Sequence, residues 1–208
     1  MVAFARKKQT VIRMECDVGN FILENRPLVS LALDDRPDPK TVRQLNRLFT
    51  LEPYRTIDQD PAYGVRQMVD IAVKALSPAV NSPATAINCL DYLASVLSLF
   101  LTRRIPHRCQ YEEGQLRLVG RQPNVELFVD LAFSEIRQNS GGQVVVVQSL
   151  LTALERVAET GGLPPDRLKL LRGHAQLTLQ TAEETIRFAP DLERVRRQAA
   201  RLTVLASS

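Results

Sequence analysis

The chain has 208 residues, with 27 Lys and Arg against 23 Asp and Glu for a net charge of +4, which is length enough for one sizeable core or two small ones. At 45% hydrophobic and 24% charged residues it lies within the range of folded globular proteins and outside that of disordered ones. The excess charge sits at one end: Met1 to Arg13 holds Arg6, Lys7, Lys8 and Arg13 with no acid, and bases and acids balance over the rest.

That distribution, with 5% aromatics and no Trp, argues against a nucleic-acid partner. Cys16, Cys89 and Cys109 leave one thiol over from any disulfide and match no metal-knuckle spacing, so a reducing compartment is expected. The apolar stretch from Ala84 to Leu101 is broken by Asn88 and Asp91 and is expected to fall short of a membrane span. After the basic start, Gln9, Arg13, Glu15 and Asp17 stand where a signal peptide needs an apolar run.

In chain order, Thr10 to Leu33 reads as short strands, TVIRMEC, FILE and LVSLAL, separated by the turn sequences DVGN and NRP. About three such strands are too few to be stable alone, so this unit is expected to pack on the remainder of the chain. The segment DDRPDP closes it. Asp38-Pro39 then starts a helix to about Phe49, and Asp60-Pro61 one to about Ser77, each with a capping acid and a first-turn proline. Pro78 stops the second.

Ser82-Pro83 begins a third helix, with Ile87, Leu90, Ala94, Leu97 and Leu101 on one apolar stripe that marks it as central to the core. His107 to Val119 reads as a hairpin turning at Glu112 to Gly114. Beyond Pro123, apolar faces at 125–138, 143–159, 165–188 and 190–205, punctuated by Gly141-Gly142, Gly161-Gly162 and Ala189-Pro190, predict helices in an antiparallel bundle. Val144 to Val147 is β-branched, yet Leu150, Leu151 and Leu154 continue its stripe, so it is read as helix.

The fold class is therefore α+β, mostly helical: a small β unit over 1–37 packed on a helical domain over 38–208, with one inserted hairpin. The β unit loosely resembles the barrel-sandwich folds that carry biotin or lipoyl groups. Its turns hold no lysine where such a group attaches, so no carrier role and no cofactor is expected.

The densest run of informative residues is Arg55 to Ala86. Arg66, Asp70 and Lys74 follow at four-residue spacing and share one helix face, while Val65, Met68, Val69, Ala72 and Leu76 make the apolar side. One reading is a solvated ion-pair ladder worth a few tenths of a kcal/mol per pair. The other is a polar network or small ligand site in which the turns at Ser77-Pro78 and Asn81-Ser82-Pro83 bring Asn81, Asp58 and Asp60 toward Arg66 and Asp70. A metal is not expected, because Pro61 stands where a calcium loop would continue. His107 and Cys109 are too few to close a zinc site, and no catalytic constellation emerges.

The same segment resembles the signature of a bacterial family of predicted integral membrane proteins, domain of unknown function 2254. The resemblance is carried by Arg55-Thr56, Gln59-Asp60, Tyr63-Gly64, Arg66-Gln67, Val69-Asp70-Ile71-Ala72, Ala75-Leu76-Ser77-Pro78, Asn81, Pro83 and Thr85-Ala86, and upstream by Gly19-Asn20-Phe21 and Pro27-Leu28. Ser82 replaces the family's usual Asp, and Asn20 and Asn25 replace an Asp and a Gly.

The resemblance implies transmembrane helices preceding this region, and hence that the chain is the soluble portion of a longer protein attached to a membrane. Met1 to Arg13 would then lie beside the last membrane helix on the cytoplasmic face, as the positive-inside bias favours. The expected role is non-catalytic, through homo-oligomer assembly or ligand sensing, with Arg55, Asp58, Asp60, Arg66, Asp70, Lys74 and Asn81 as the candidate network. The alternative is an enzyme using the same carboxylates and arginines for acid/base chemistry.

Overall fold

The computed structural model describes residues 1–204, with the side chains of 203 and 204 left aside. In chain order the elements are α1 (Val2–Lys7), β1 (Ile12–Met14), β2 (Val29–Leu31), α2 (Pro39–Asn46), α3 (Pro61–Leu76), α4 (Pro83–Thr102), β3 (Cys109–Glu112), β4 (Gln115–Val119), α5 (Val125–Asn139), α6 (Val144–Ala158), α7 (Pro165–Thr185) and α8 (Ala189–Val204). The class is α+β and mostly helical, as the periodicities predict. The chain divides into two compact units, Met1–Pro61 with Ile105–Pro123, and Ala62–Arg104 with Asn124–Ser208. This division differs from the expected boundary at residue 37, because the hairpin shares a sheet with β1 and Leu45 of α2 joins the same apolar cluster.

The first unit holds a four-stranded sheet in the order β2-β1-β4-β3. β1 runs antiparallel to β2, with Ile12 opposite Leu31 and Met14 opposite Val29, and parallel to β4, with Ile12 opposite Leu118. The β3–β4 hairpin turns at Glu113 and Gly114, both at positive φ, the geometry that matches the twist of the flanking strands. Ala5, Ile12, Leu45 and Leu118 are buried together.

Two expectations are corrected here. Phe21 to Glu24 is not a strand: Phe21 is 90% exposed, and nothing receives its alternation, since Glu15 N–H already bonds Leu28 O across the β1–β2 pair at 3.0 Å. Val2 to Lys7, expected only as a basic segment, is helical. Six residues are too few for propensity to hold a helix, so the burial of Ala5 in the apolar cluster fixes it.

The second unit is a helical bundle around α4. Leu90, Leu93, Leu97 and Leu101 are fully buried, each stabilising the fold by about 1.5–3 kcal/mol, and α4 packs chiefly on α6. Helix α6 in turn meets α7 and α8, where Gln198 Nε2 donates to Thr152 Oγ1 at 2.8 Å and to Gln148 O at 3.1 Å. Val146 and Val147 are buried helical residues, as their continuing stripe predicts. Gly141 and Gly142 take positive φ between α5 and α6; at Gly142 a Cβ would lie 2.9 Å from Thr185 O, so only glycine fits that stop.

The reading that 84–101 is too short to span a bilayer is also corrected. α4 runs 20 residues and, by length and composition, is apolar enough to cross a membrane. Its interruptions do not break the helix, because Asn88 and Asp91 lie off the buried stripe.

Candidate functional site

Four of the seven candidate residues, Arg55, Asp60, Arg66 and Asp70, enter two ion-pair clusters, one in each unit. In the first, Arg55 forks onto the Asp60 carboxylate, with Arg55 Nε donating at 2.8 Å and Arg55 Nη2 also on Asp60 Oδ2. The Asp60 side chain is 8% exposed and that of Arg55 43%, so an almost buried carboxylate is compensated by a partly hydrated guanidinium. Gly19, at φ +78°, lies directly on this pair, leaving no room for a Cβ. The turn DVGN is thereby tied to the start of the signature. Asp58 is exposed and makes no side-chain hydrogen bond or ion pair among the described residues.

In the second cluster, Arg66 on α3 bridges two acids. Its guanidinium meets Glu135 of α5 through both Nη atoms, Nη2 to Oε2 at 3.0 Å, and Asp70 Oδ1 at 2.8 Å one turn along α3. Glu135 is the first cause that raises the Arg66 pKa, with Asp70 adding to it against partial burial. The expected ladder is therefore half realised: Arg66 pairs with Asp70, but among the described residues no ion pair joins Asp70 to Lys74. Sequence spacing gave no sign of Glu135, 69 residues downstream.

Asn81 has a backbone rather than a side-chain role. It sits at φ +44°, a region Asn tolerates better than most residues. There its N–H bonds Ser77 O at 2.8 Å and the next amide, of Ser82, bonds Ala75 O at 2.7 Å, satisfying carbonyls at the end of α3. Ser82 stands at the N-cap of α4 without a side-chain cap bond; its hydroxyl pairs with that of Thr85 at 2.9 Å. Asp38 caps α2 as expected, accepting from the amides of Lys40 at 2.8 Å and Thr41 at 2.9 Å and from the Thr41 hydroxyl at 2.6 Å. These bonds, the Thr41 hydroxyl first, lower its pKa to about 2.

Two buried polar groups of the bundle have no signature in the local sequence. Arg167 of α7, 8% exposed, donates from Nη1 to the carbonyls of Leu101 and, at 2.9 Å, Arg103, closing the C-terminus of α4. His174 of α7 is 3% exposed, with Nε2 3.0 Å from Asp130 Oδ1 of α5. Each depends on a partner far along the chain, which spacing does not reveal. Among the described residues no three His, Cys, Asp or Glu side chains gather to hold a metal ion.

Chemically, both clusters are arranged to hold elements. Asp60 and Asp70 each hold an arginine, the first nearly buried and the second half-exposed.

Comparison with known proteins adds a family. The family model described as "Predicted membrane protein (DUF2254)" matches residues 1–156. Uncharacterized proteins of Mycobacterium bovis and of two strains of Mycobacterium tuberculosis are each 32% identical over 150 residues, 72% of this chain and 29% of theirs. The chain thus spans under a third of the length of those relatives. No solved structure matches.

Proposed function

The chain belongs to the DUF2254 family of predicted membrane proteins, and from that premise we propose that it is a non-catalytic domain outside the bilayer, on the cytoplasmic face, acting through assembly or ligand sensing. The observation that carries the reading is how α4 is used. This helix is the one described element apolar enough to cross a membrane, yet its leucine stripe is buried against other helices of its own unit. Its polar face carries Asn88, Ser95 and an Asp91 paired with Arg156 of α6. A charged pair facing lipid would be costly, whereas facing water it costs little. Arg6, Lys7, Lys8 and Arg13 support the cytoplasmic side through the positive-inside bias.

Two measurements on the full chain expressed in bacteria test this. Alkaline carbonate should release it from membranes, and a membrane-impermeant maleimide should label Cys16 and Cys109 only after the cells are opened, both thiols being partly exposed. Carbonate resistance would mean that α4 is inserted, and labelling in intact cells would place the domain outside; either result overturns the proposal.

A further inference from the structure

Helices α1 and α2 both contribute to the apolar cluster of the first unit. Ala5 and Leu45 share one buried cluster, and Lys8 Nζ donates to Thr41 Oγ1 at 2.6 Å. Neither helix contains an acid. Lys40 and Arg43 of α2 and Arg47 at its C-cap follow at helical spacing and are all exposed; on α1, Lys7 is exposed and Arg6 pairs with Glu112 at 3.2 Å. Asp38, just ahead of α2, is consumed by capping. Asp34 and Asp35 come earlier in the same loop, next to Arg36, so the Lys40–Arg43–Arg47 stripe itself remains basic.

Immediately past α2 the chain turns apolar and exposed. Leu48, Leu51, Tyr54 and Ile57 are 43, 66, 82 and 61% exposed, and Leu51 and Tyr54 edge a groove of 1540 Å³. Glu52 and Asp58 interrupt this loop, so the positive charge comes from the helices and the apolar surface from the loop. Bases beside exposed aliphatic and aromatic side chains are the combination that binds an anionic lipid surface. A nucleic acid would complement the bases but offer nothing to Leu51 or Ile57.

We propose that this face docks on a bilayer surface bearing anionic headgroups, with the Lys40–Arg43–Arg47 stripe meeting lipid phosphates and the 48–57 loop entering the interfacial layer. This rests on the extramembrane reading and names the lipid chemistry that such a domain recognises.

Vesicle flotation of the full chain tests it, with phosphatidylcholine alone against phosphatidylcholine mixed with phosphatidylglycerol. Binding is expected only to the anionic vesicles and should be lost near 1 M salt, where the Debye length is about 3 Å. At about fivefold per base near an anionic surface, the variant Lys40→Gln/Arg43→Gln/Arg47→Gln should bind roughly 100-fold more weakly with an unchanged circular dichroism spectrum. Leu51→Ser/Tyr54→Ser should weaken binding without changing its salt dependence. Equal binding to neutral vesicles, no binding to either, or tighter binding to a short DNA duplex overturns the proposal while leaving the extramembrane reading in place. Association that ignores lipid charge and resists carbonate overturns that reading instead.

Discussion

Gly19 packs on the Asp60 carboxylate so closely that a Cβ there would stand 2.1 Å from Asp60 Oδ2 and 2.9 Å from Arg55 Nε. The pair it covers cannot swing away cheaply, because the Asp60 side chain is nearly buried and held by the Arg55 fork. Gly19→Ala also forces an alanine into left-handed backbone, at about 1–2 kcal/mol, so a total loss of about 2–3 kcal/mol is expected. Asp60→Ala removes the clash, and the double variant should be more stable than the two single losses predict. Urea denaturation of the four proteins measures this; additivity would mean that the contact carries no energy.

The Arg66 cluster predicts a graded series. Its side chain is 37% exposed, so no member is worth a buried charge. Glu135→Gln removes a two-pronged partner that ties α5 to α3 and should cost about 1 kcal/mol, with Asp70→Asn nearer 0.5. Lys74→Ala should fall within about 0.5 kcal/mol of the parent. If Lys74→Ala cost as much as Glu135→Gln, the ladder along α3 would be the true arrangement and the cross-helix pair incidental.

What was legible in the sequence is what local chemistry decides. A proline after Asp38, Asp60 or Ser82 marks the starts of α2, α3 and α4, though Asp38 accepts cap bonds and Ser82 makes none, and a 3.6-residue stripe identifies α4 as the core helix. Asn81, expected as a side-chain member of a polar network, has a backbone role in the structure, since its positive φ sets the α3–α4 turn. Non-local facts were hidden: Glu135 and Arg66 meet across 69 positions. The six-residue α1 exists through burial rather than propensity. FILE alternates like a strand, but strand formation also needs a neighbour, which alternation cannot supply.

Arg167 should be the costliest polar residue of the bundle to lose. It is buried, and it supplies the donors that the end of α4 lacks, at Leu101 O and Arg103 O. Arg167→Met keeps most of the packing volume but leaves those carbonyls short of a donor, at a cost of about 2–4 kcal/mol. Arg167→Lys should recover less than half, because an ammonium on a shorter reach cannot reproduce the guanidinium's placement. Thermal unfolding checks both, and a methionine variant with the parent's Tm would show that the cap is dispensable.

The bundle's stability should also fall in mild acid through His174. Burial pushes its pKa below the ordinary value; the Asp130 carboxylate opposes this and Arg137 reinforces it. With Nε2–H directed at Asp130, Nδ1 is buried with no partner among the described residues, so a second proton there gains no acceptor. The unfolded chain therefore binds a proton near pH 6.5, before the folded one does. The contribution is complete above that value and is lost as pH falls toward the folded pKa. Asp38 acts in a different window: its carboxylate is held at about 2, so its contribution persists until pH drops below the usual carboxylate range near 3.9. His174→Gln keeps a donor for Asp130 without the titration, so its Tm should be lower at pH 7.5 but change less between pH 7.5 and pH 5 than the parent's. Parallel pH profiles for the two proteins would assign the acid sensitivity elsewhere.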